Sequence, residues 1–126
     1  MNMRTPLKTV RGLGASRKGT EHFWMQRLTA LALVPLVIFF IIFLIRYAGA
    51  PYAEVAGALS NPFVAVLIGL MVLAGLVHVH IGMQEIIFDY IQNDLIKFLT
   101  LMANTCFMVL IGAICLLAIV KLAFMG

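Results

Sequence analysis

The chain has 126 residues, of which 63% are hydrophobic and 11% charged; its mean hydropathy is +1.09 and its formal net charge +4. Ordinary globular domains carry about a quarter charged residues, so this composition excludes an ordinary soluble domain, and the apolar stretches leave no room for one beside them. The cations form no repeated Lys/Arg run, so a nucleic-acid partner is not expected.

In chain order, residues 1–26 form a basic interfacial segment and 27–126 a transmembrane anchor. The glycines of Gly12-Leu13-Gly14-Ala15-Ser16-Arg17-Lys18-Gly19 do not make a phosphate loop, because no strand precedes them and no Gly-Lys-Ser/Thr follows. This tail is read as a basic surface lying on lipid headgroups or on a partner. Thr20 is placed to cap a helix start. Phe23 and Trp24 suit the aromatic belt at a membrane interface. His22 and Arg27, about one turn apart at that interface, each fit a snorkelling residue; together they could hold an anionic group such as a haem propionate.

Three stretches are long enough to cross a bilayer, which takes about 20 helical residues. Leu28–Ile45 runs 18 residues without a charge, Val55–Gln84 is free of Asp, Glu, Lys and Arg, and Phe98–Val120 adds 23 more. The expected fold is an all-α membrane protein of three transmembrane helices, at about 27–48, 62–88 and 94–122, belonging to a multi-subunit helical bundle. Ala48-Gly49-Ala50 looks like a cleavage site, but the apolar run before it exceeds the roughly 7–15 residues of a signal-peptide core. Helix 1 is therefore expected to stay in the mature protein. Arg4, Lys8, Arg11, Arg17, Lys18, Arg27 and Lys97 fall on one side of the membrane, and Arg46 and Lys121 on the other. That bias puts the N-terminus in the cytoplasm, or in the matrix of a mitochondrion.

Helix 1 reads as structural, with Pro35 inside it and Phe39, Phe40 and Phe43 as lipid-facing bulk. The outer loop is short, and Asn61-Pro62 turns the chain into helix 2. Cys106 and Cys115 lie nine residues apart on opposite faces of helix 3 and read as packing residues.

The chemistry concentrates on helix 2. With His78 at zero and 100° per residue, Met71 falls at about +20°, Gly75 at about +60°, Gly82 at about +40°, Glu85 at about −20° and Asp89 at about +20°. An ionisable side chain at membrane depth is costly and marks function by default. Such a stripe suits a porphyrin, with the imidazole on iron and the glycines admitting the flat ring. It suits equally a close helix–helix contact, with His78 hydrogen-bonded to a neighbour. His80 points about 200° away from His78, so the two cannot ligate one iron, and His80 reads as a packing or hydrogen-bonding residue. Tyr90 lies twelve residues past His78, about 18 Å along the axis, where it and Asp89 fit either a quinone contact or an interfacial anchor and a solvated helix end.

The sequence His78-Val-His-Ile-Gly-Met-Gln-Glu-Ile-Ile-Phe-Asp-Tyr90 resembles the signature of the small membrane-anchor subunit of succinate dehydrogenase (complex II, cytochrome b small subunit). That signature has a second-helix histidine, a glycine four residues on, and an Asp-Tyr pair ending at plus twelve. Arg4-Thr-Pro-Leu, Val10-Arg-Gly-Leu-Gly14 and His22-Phe-Trp-Met-Gln-Arg-Leu-Thr-Ala30 are also similar to the family's N-terminal segment. The resemblance implies that His78 ligates a b-type haem shared with a larger cytochrome b anchor subunit. It implies that Tyr90 hydrogen-bonds ubiquinone, the substrate, with Asp89 shaping the site. Arg27 would lie near a haem propionate or the quinone pocket, and His22 near a propionate. Electrons would arrive from succinate through a flavoprotein subunit and an iron–sulfur subunit, neither of whose motifs this chain carries. The implied location is the bacterial inner membrane, or the mitochondrial inner membrane in a eukaryote. Rival readings are the anchor of a quinol:fumarate reductase, an anchor without haem, and a small proton-coupled transporter using Glu85.

Overall fold

A computed structural model describes residues 6–7 and 18–125. The basic residues Arg4, Lys8, Arg11 and Arg17, and the glycines from Gly12 to Gly14, lie outside the described residues.

Among the described residues four helices follow one another from Lys18 on: α1 (Lys18–Tyr47), α2 (Tyr52–Leu59), α3 (Pro62–Tyr90) and α4 (Asp94–Met125). Three of them are long and apolar enough to cross a membrane, over Glu21–Tyr47, Pro62–Tyr90 and Asp94–Phe124. These match the three expected spans. Helix α1 starts at Lys18 rather than near residue 27, so Thr20 lies inside its first turn and not at a cap. It runs on through Pro35, which leaves the Leu31 carbonyl without its usual donor.

The ends of the helices follow from local chemistry. Gly49 adopts φ +77° just past α1, and the Ala50 amide donates to the Tyr47 carbonyl at 3.0 Å. Glycine takes this left-handed conformation without a Cβ clash, and the helix stops there. The Ala48-Gly49-Ala50 run, which resembles a cleavage site, thus has a structural use. The outer segment is not all loop: it holds the short helix α2. Its eight residues are too few to show a period, and only its docking on α3 and α4 explains it. Asn61 caps α3, its Oδ1 accepting from the Phe63 amide at 3.0 Å, with Pro62 in the first turn. Asn93 does the same for α4, accepting from the Leu95 and Ile96 amides at 3.0 and 3.1 Å. The link between α3 and α4 is therefore only three residues long, and the two helices must run antiparallel.

Helix α3 is central, with α1 packed on one side and α4 on the other. The packing is thin. Among the described residues the buried apolar ones are Ala56, Ala65, Ile68, Ile81 and Ile87, and no large side chain is fully buried. Leu31, Ile45, Leu117 and Phe124, by contrast, are 70–84% exposed. So much exposed apolar surface belongs in lipid or against other helices. Phe39, Phe40 and Phe43 depart from the expectation of lipid-facing bulk. All three are half-buried; Phe39 stacks toward Phe43, and Phe43 toward Tyr47. Phe40 lines an apolar groove of about 480 Å³ with Leu33, Val37, Met71, Gly75 and Cys115.

Candidate functional site

The stripe on α3 faces α1, and the two helices meet in a regular antiparallel register. Gln26 Nε2 sits 3.4 Å from where a Cβ on Gly82 would be. One turn on, Thr29 Oγ1 lies 3.1 Å from His78 Nδ1. One turn further, Leu33 Cδ2 lies 3.9 Å from the Cβ position of Gly75. The glycines therefore admit side chains of α1. A flat ring does not lie against them, and any macrocycle reached by His78 approaches from beside this ladder. Steps of three and four residues on both helices keep one face turned inward.

The Thr29–His78 contact engages Nδ1 of the imidazole and leaves Nε2 without a partner among the described residues. Thr29 is only 9% exposed, and its hydroxyl lies 2.7 Å from the Met25 carbonyl oxygen and 3.1 Å from that of Gln26. A carbonyl oxygen only accepts, and a hydroxyl has one proton. That proton points to the carbonyls, in the back-bonding to the preceding turn common for threonine in helices. The oxygen then shows a lone pair to α3, an arrangement in which His78 Nδ1 is the donor. A neutral imidazole that donates from Nδ1 has an unprotonated Nε2, the state in which it ligates a metal.

His80 is held in the opposite state. Asn104 Nδ2 lies 3.2 Å from His80 Nδ1 and 3.4 Å from the His80 carbonyl oxygen. The carbonyl requires the amide nitrogen, not its oxygen, on that side. The amide donates to Nδ1, so Nε2 of His80 carries the proton and offers no lone pair. The hydrogen-bonding role expected for His80 is what the packing displays.

The remaining site candidates stand apart from His78. Helix α3 continues unbroken to Tyr90, its last residue, so the separation of about 18 Å along the axis holds. Tyr90 is 81% exposed, and Glu85 and Asp89 are exposed beside it. On α1, the register sets Arg27 roughly level with Ile81 and His22 roughly level with Ile86. Both are exposed, and the Arg27 guanidinium lies over the Phe23 ring, 4.7 Å from its centroid. His22 and Arg27 share no hydrogen bond among the described residues. The structure does not gather these residues around His78; it spaces them along one end of the bundle.

Among the described residues no three His, Cys, Asp or Glu side chains converge on a point that could hold a metal ion. An iron bound by His78 would therefore need further ligands from outside this chain. Gln26 Oε1, one turn from Thr29, is buried without a hydrogen-bond partner. A single imidazole whose Nδ1 is hydrogen-bonded within the chain fits a haem ligated on one side by His78.

Thr29, Gln26 and Asn104 were not singled out from the sequence. The available signal was a polar side chain inside an apolar span, where such groups commonly hydrogen-bond to a neighbouring helix.

A family model described as succinate dehydrogenase/fumarate reductase transmembrane subunit matches residues 1–119. The chain belongs to this family. A succinate dehydrogenase hydrophobic membrane anchor subunit of Paracoccus denitrificans is 34% identical over 127 residues, covering 100% of this chain and 95% of the relative. One from Rickettsia bellii is 24% identical over 109 residues, covering 86% and 87%. Three spans and little internal core fit a transmembrane subunit of this family, whose packing is finished by lipid and neighbouring chains.

Proposed function

We propose that this chain is the membrane anchor of a succinate:quinone oxidoreductase, that His78 Nε2 is one axial ligand of a b-type haem, and that Tyr90 with Asp89 forms part of the ubiquinone-reduction site. The second axial ligand comes from a larger cytochrome b anchor subunit, and electrons arrive from a flavoprotein subunit through an iron–sulfur subunit. The protein sits in the bacterial inner membrane with its N-terminus in the cytoplasm, as the seven-to-two bias of cations indicates.

The observation that carries the reading is the hydrogen bond from His78 Nδ1 to Thr29 Oγ1. It leaves the other nitrogen unprotonated at membrane depth, where an unused lone pair on a half-buried ring would be costly. When bound, the haem supplies a one-electron store near the quinone. Tyr90 stands where α3 ends, so its phenol reaches the headgroup region, from which a quinone enters and protons are available. A phenol donating to a quinone oxygen stabilises the negative charge that gathers there on reduction, and can pass on a proton. Asp89, beside it at the water boundary, can return that proton to the phenol. Arg27 is placed for a propionate, being about one turn nearer that boundary than His78, and His22 stands about one turn further out. A cationic group near an anionic one strengthens a hydrogen bond roughly twofold.

The test is a dithionite-reduced minus oxidised spectrum of the complex purified through this chain. His78→Ala is expected to abolish the b-type signal and His80→Ala to preserve it. A signal that survives His78→Ala and disappears in His80→Ala would overturn the ligand assignment.

A further inference from the structure

We propose that Thr29 is a positioning residue for the haem ligand: its hydroxyl, fixed on α1, holds the His78 imidazole in the tautomer that presents Nε2 to iron. This inference rests on the haem-ligand reading of His78 and deepens it.

Three features support the assignment. The hydroxyl is held at both ends, by the carbonyls of Met25 and Gln26 at 2.7 and 3.1 Å and by His78 Nδ1 at 3.1 Å. Among the described residues Thr29 is the buried polar side chain, so water does not compete for these bonds. The flanking contacts, Gln26 against Gly82 and Leu33 against Gly75, lock the register of α1 and α3 on either side. The threonine therefore cannot slide off the ring without unpacking both glycines. An outer partner of this kind orients a ligating histidine and makes it more basic. A more basic imidazole favours ferric over ferrous iron, so losing the hydroxyl should raise the haem potential.

The experiment compares Thr29→Val, Thr29→Ser and His78→Ala in the assembled membrane complex. The readouts are haem per complex, the low-spin ferric resonance spectrum and the haem midpoint potential. Thr29→Val keeps the shape and removes the acceptor; it is expected to weaken haem retention about tenfold and to raise the potential. A tenfold change in the ferric-to-ferrous preference corresponds to about 59 mV. Thr29→Ser restores the hydroxyl and is expected to resemble the parent in all three. If the valine chain does not enter the complex, Thr29→Ala removes the same hydroxyl without adding bulk at the contact. Parent-like haem content, resonance and potential in the hydroxyl-free variant would overturn the proposal while leaving His78 as ligand. So would a serine variant as impaired as valine, since packing would then be the cause. Haem retained in His78→Ala would overturn the ligand reading itself, and this inference with it.

Discussion

A neutral imidazole has two nitrogens and one proton, so whatever its neighbours demand of one nitrogen decides what the other can do. Helix α3 carries two histidines a residue apart, and the helices on either side set them in opposite states. Thr29 on α1 requires a donor from His78, and Asn104 on α4 requires an acceptor from His80. If His78 is the haem ligand proposed above, the difference between it and His80 lies in a threonine on one neighbouring helix and an asparagine on the other. Tyr90 is a different case, because among the described residues nothing hydrogen-bonds its phenol, which stands exposed. If its role is to donate to a quinone oxygen, Tyr90→Phe should lower quinone reduction about a hundredfold. Succinate oxidation by soluble artificial acceptors, and the haem spectrum, should stay at parent levels. Quinone turnover unchanged in this variant would make Tyr90 an interfacial anchor.

At the scale of the helices, contact with α3 is made by small residues, and their tolerance differs with what faces them. A Cβ on Gly112 of α4 would come within 2.9 Å of Leu76 Cδ1, whereas one on Gly69 meets nothing within 4 Å. Gly112→Ala needs only the flexible end of Leu76 to move. Gly112→Val adds methyls with nowhere to go, and should cost about 1–3 kcal/mol of stability, as overpacking generally does. Gly69→Ala should be neutral or slightly stabilising, since alanine is the better helix former by up to about 1 kcal/mol. Thermal unfolding of the detergent-solubilised chain would rank the three, and a Gly112→Val chain as stable as Gly69→Ala would refute the packing described. The small residues of the α3 stripe were legible in the sequence because 3.6-residue periodicity aligns them. Their partners were not, since Leu33 looks like any other residue of an apolar span, and nothing about Gln26 says which glycine it faces until α1 is laid beside α3.

For the whole molecule, the decisive quantity is how little of its apolar surface it covers by itself. The three spans form a layer with α3 in the middle and, among the described residues, four buried apolar side chains, all on α3. Such a layer is stable as part of a larger assembly in lipid, where bilayer and neighbouring chains fill what a soluble core would fill. With three crossings the ends of the described chain lie on opposite faces of the membrane, and the bias of cations puts Lys97 on the cytoplasmic side with the basic segment. A phosphatase reporter fused after Gly126 should be active outside the cytoplasm, and a cysteine at Gln92 should be labelled only by reagents that reach the cytoplasm. The opposite pattern in both would invert the topology. The Tyr90 end would then face away from the cytoplasm, where the proposed iron–sulfur partner could not deliver electrons to it.

By itself the sequence determined the number of spans, their ends to within a turn at α3 and α4, and the stripe bearing His78. Each of these follows from length without charge, or from periodicity along a single helix. The helix in the outer loop was decided by docking, because so short a segment carries too weak a pattern of its own. Only the tertiary structure decided which histidine has a free nitrogen. The partners that settle it, Thr29 and Asn104, lie 49 and 24 positions away along the chain, and a helical period relates only residues on the same helix.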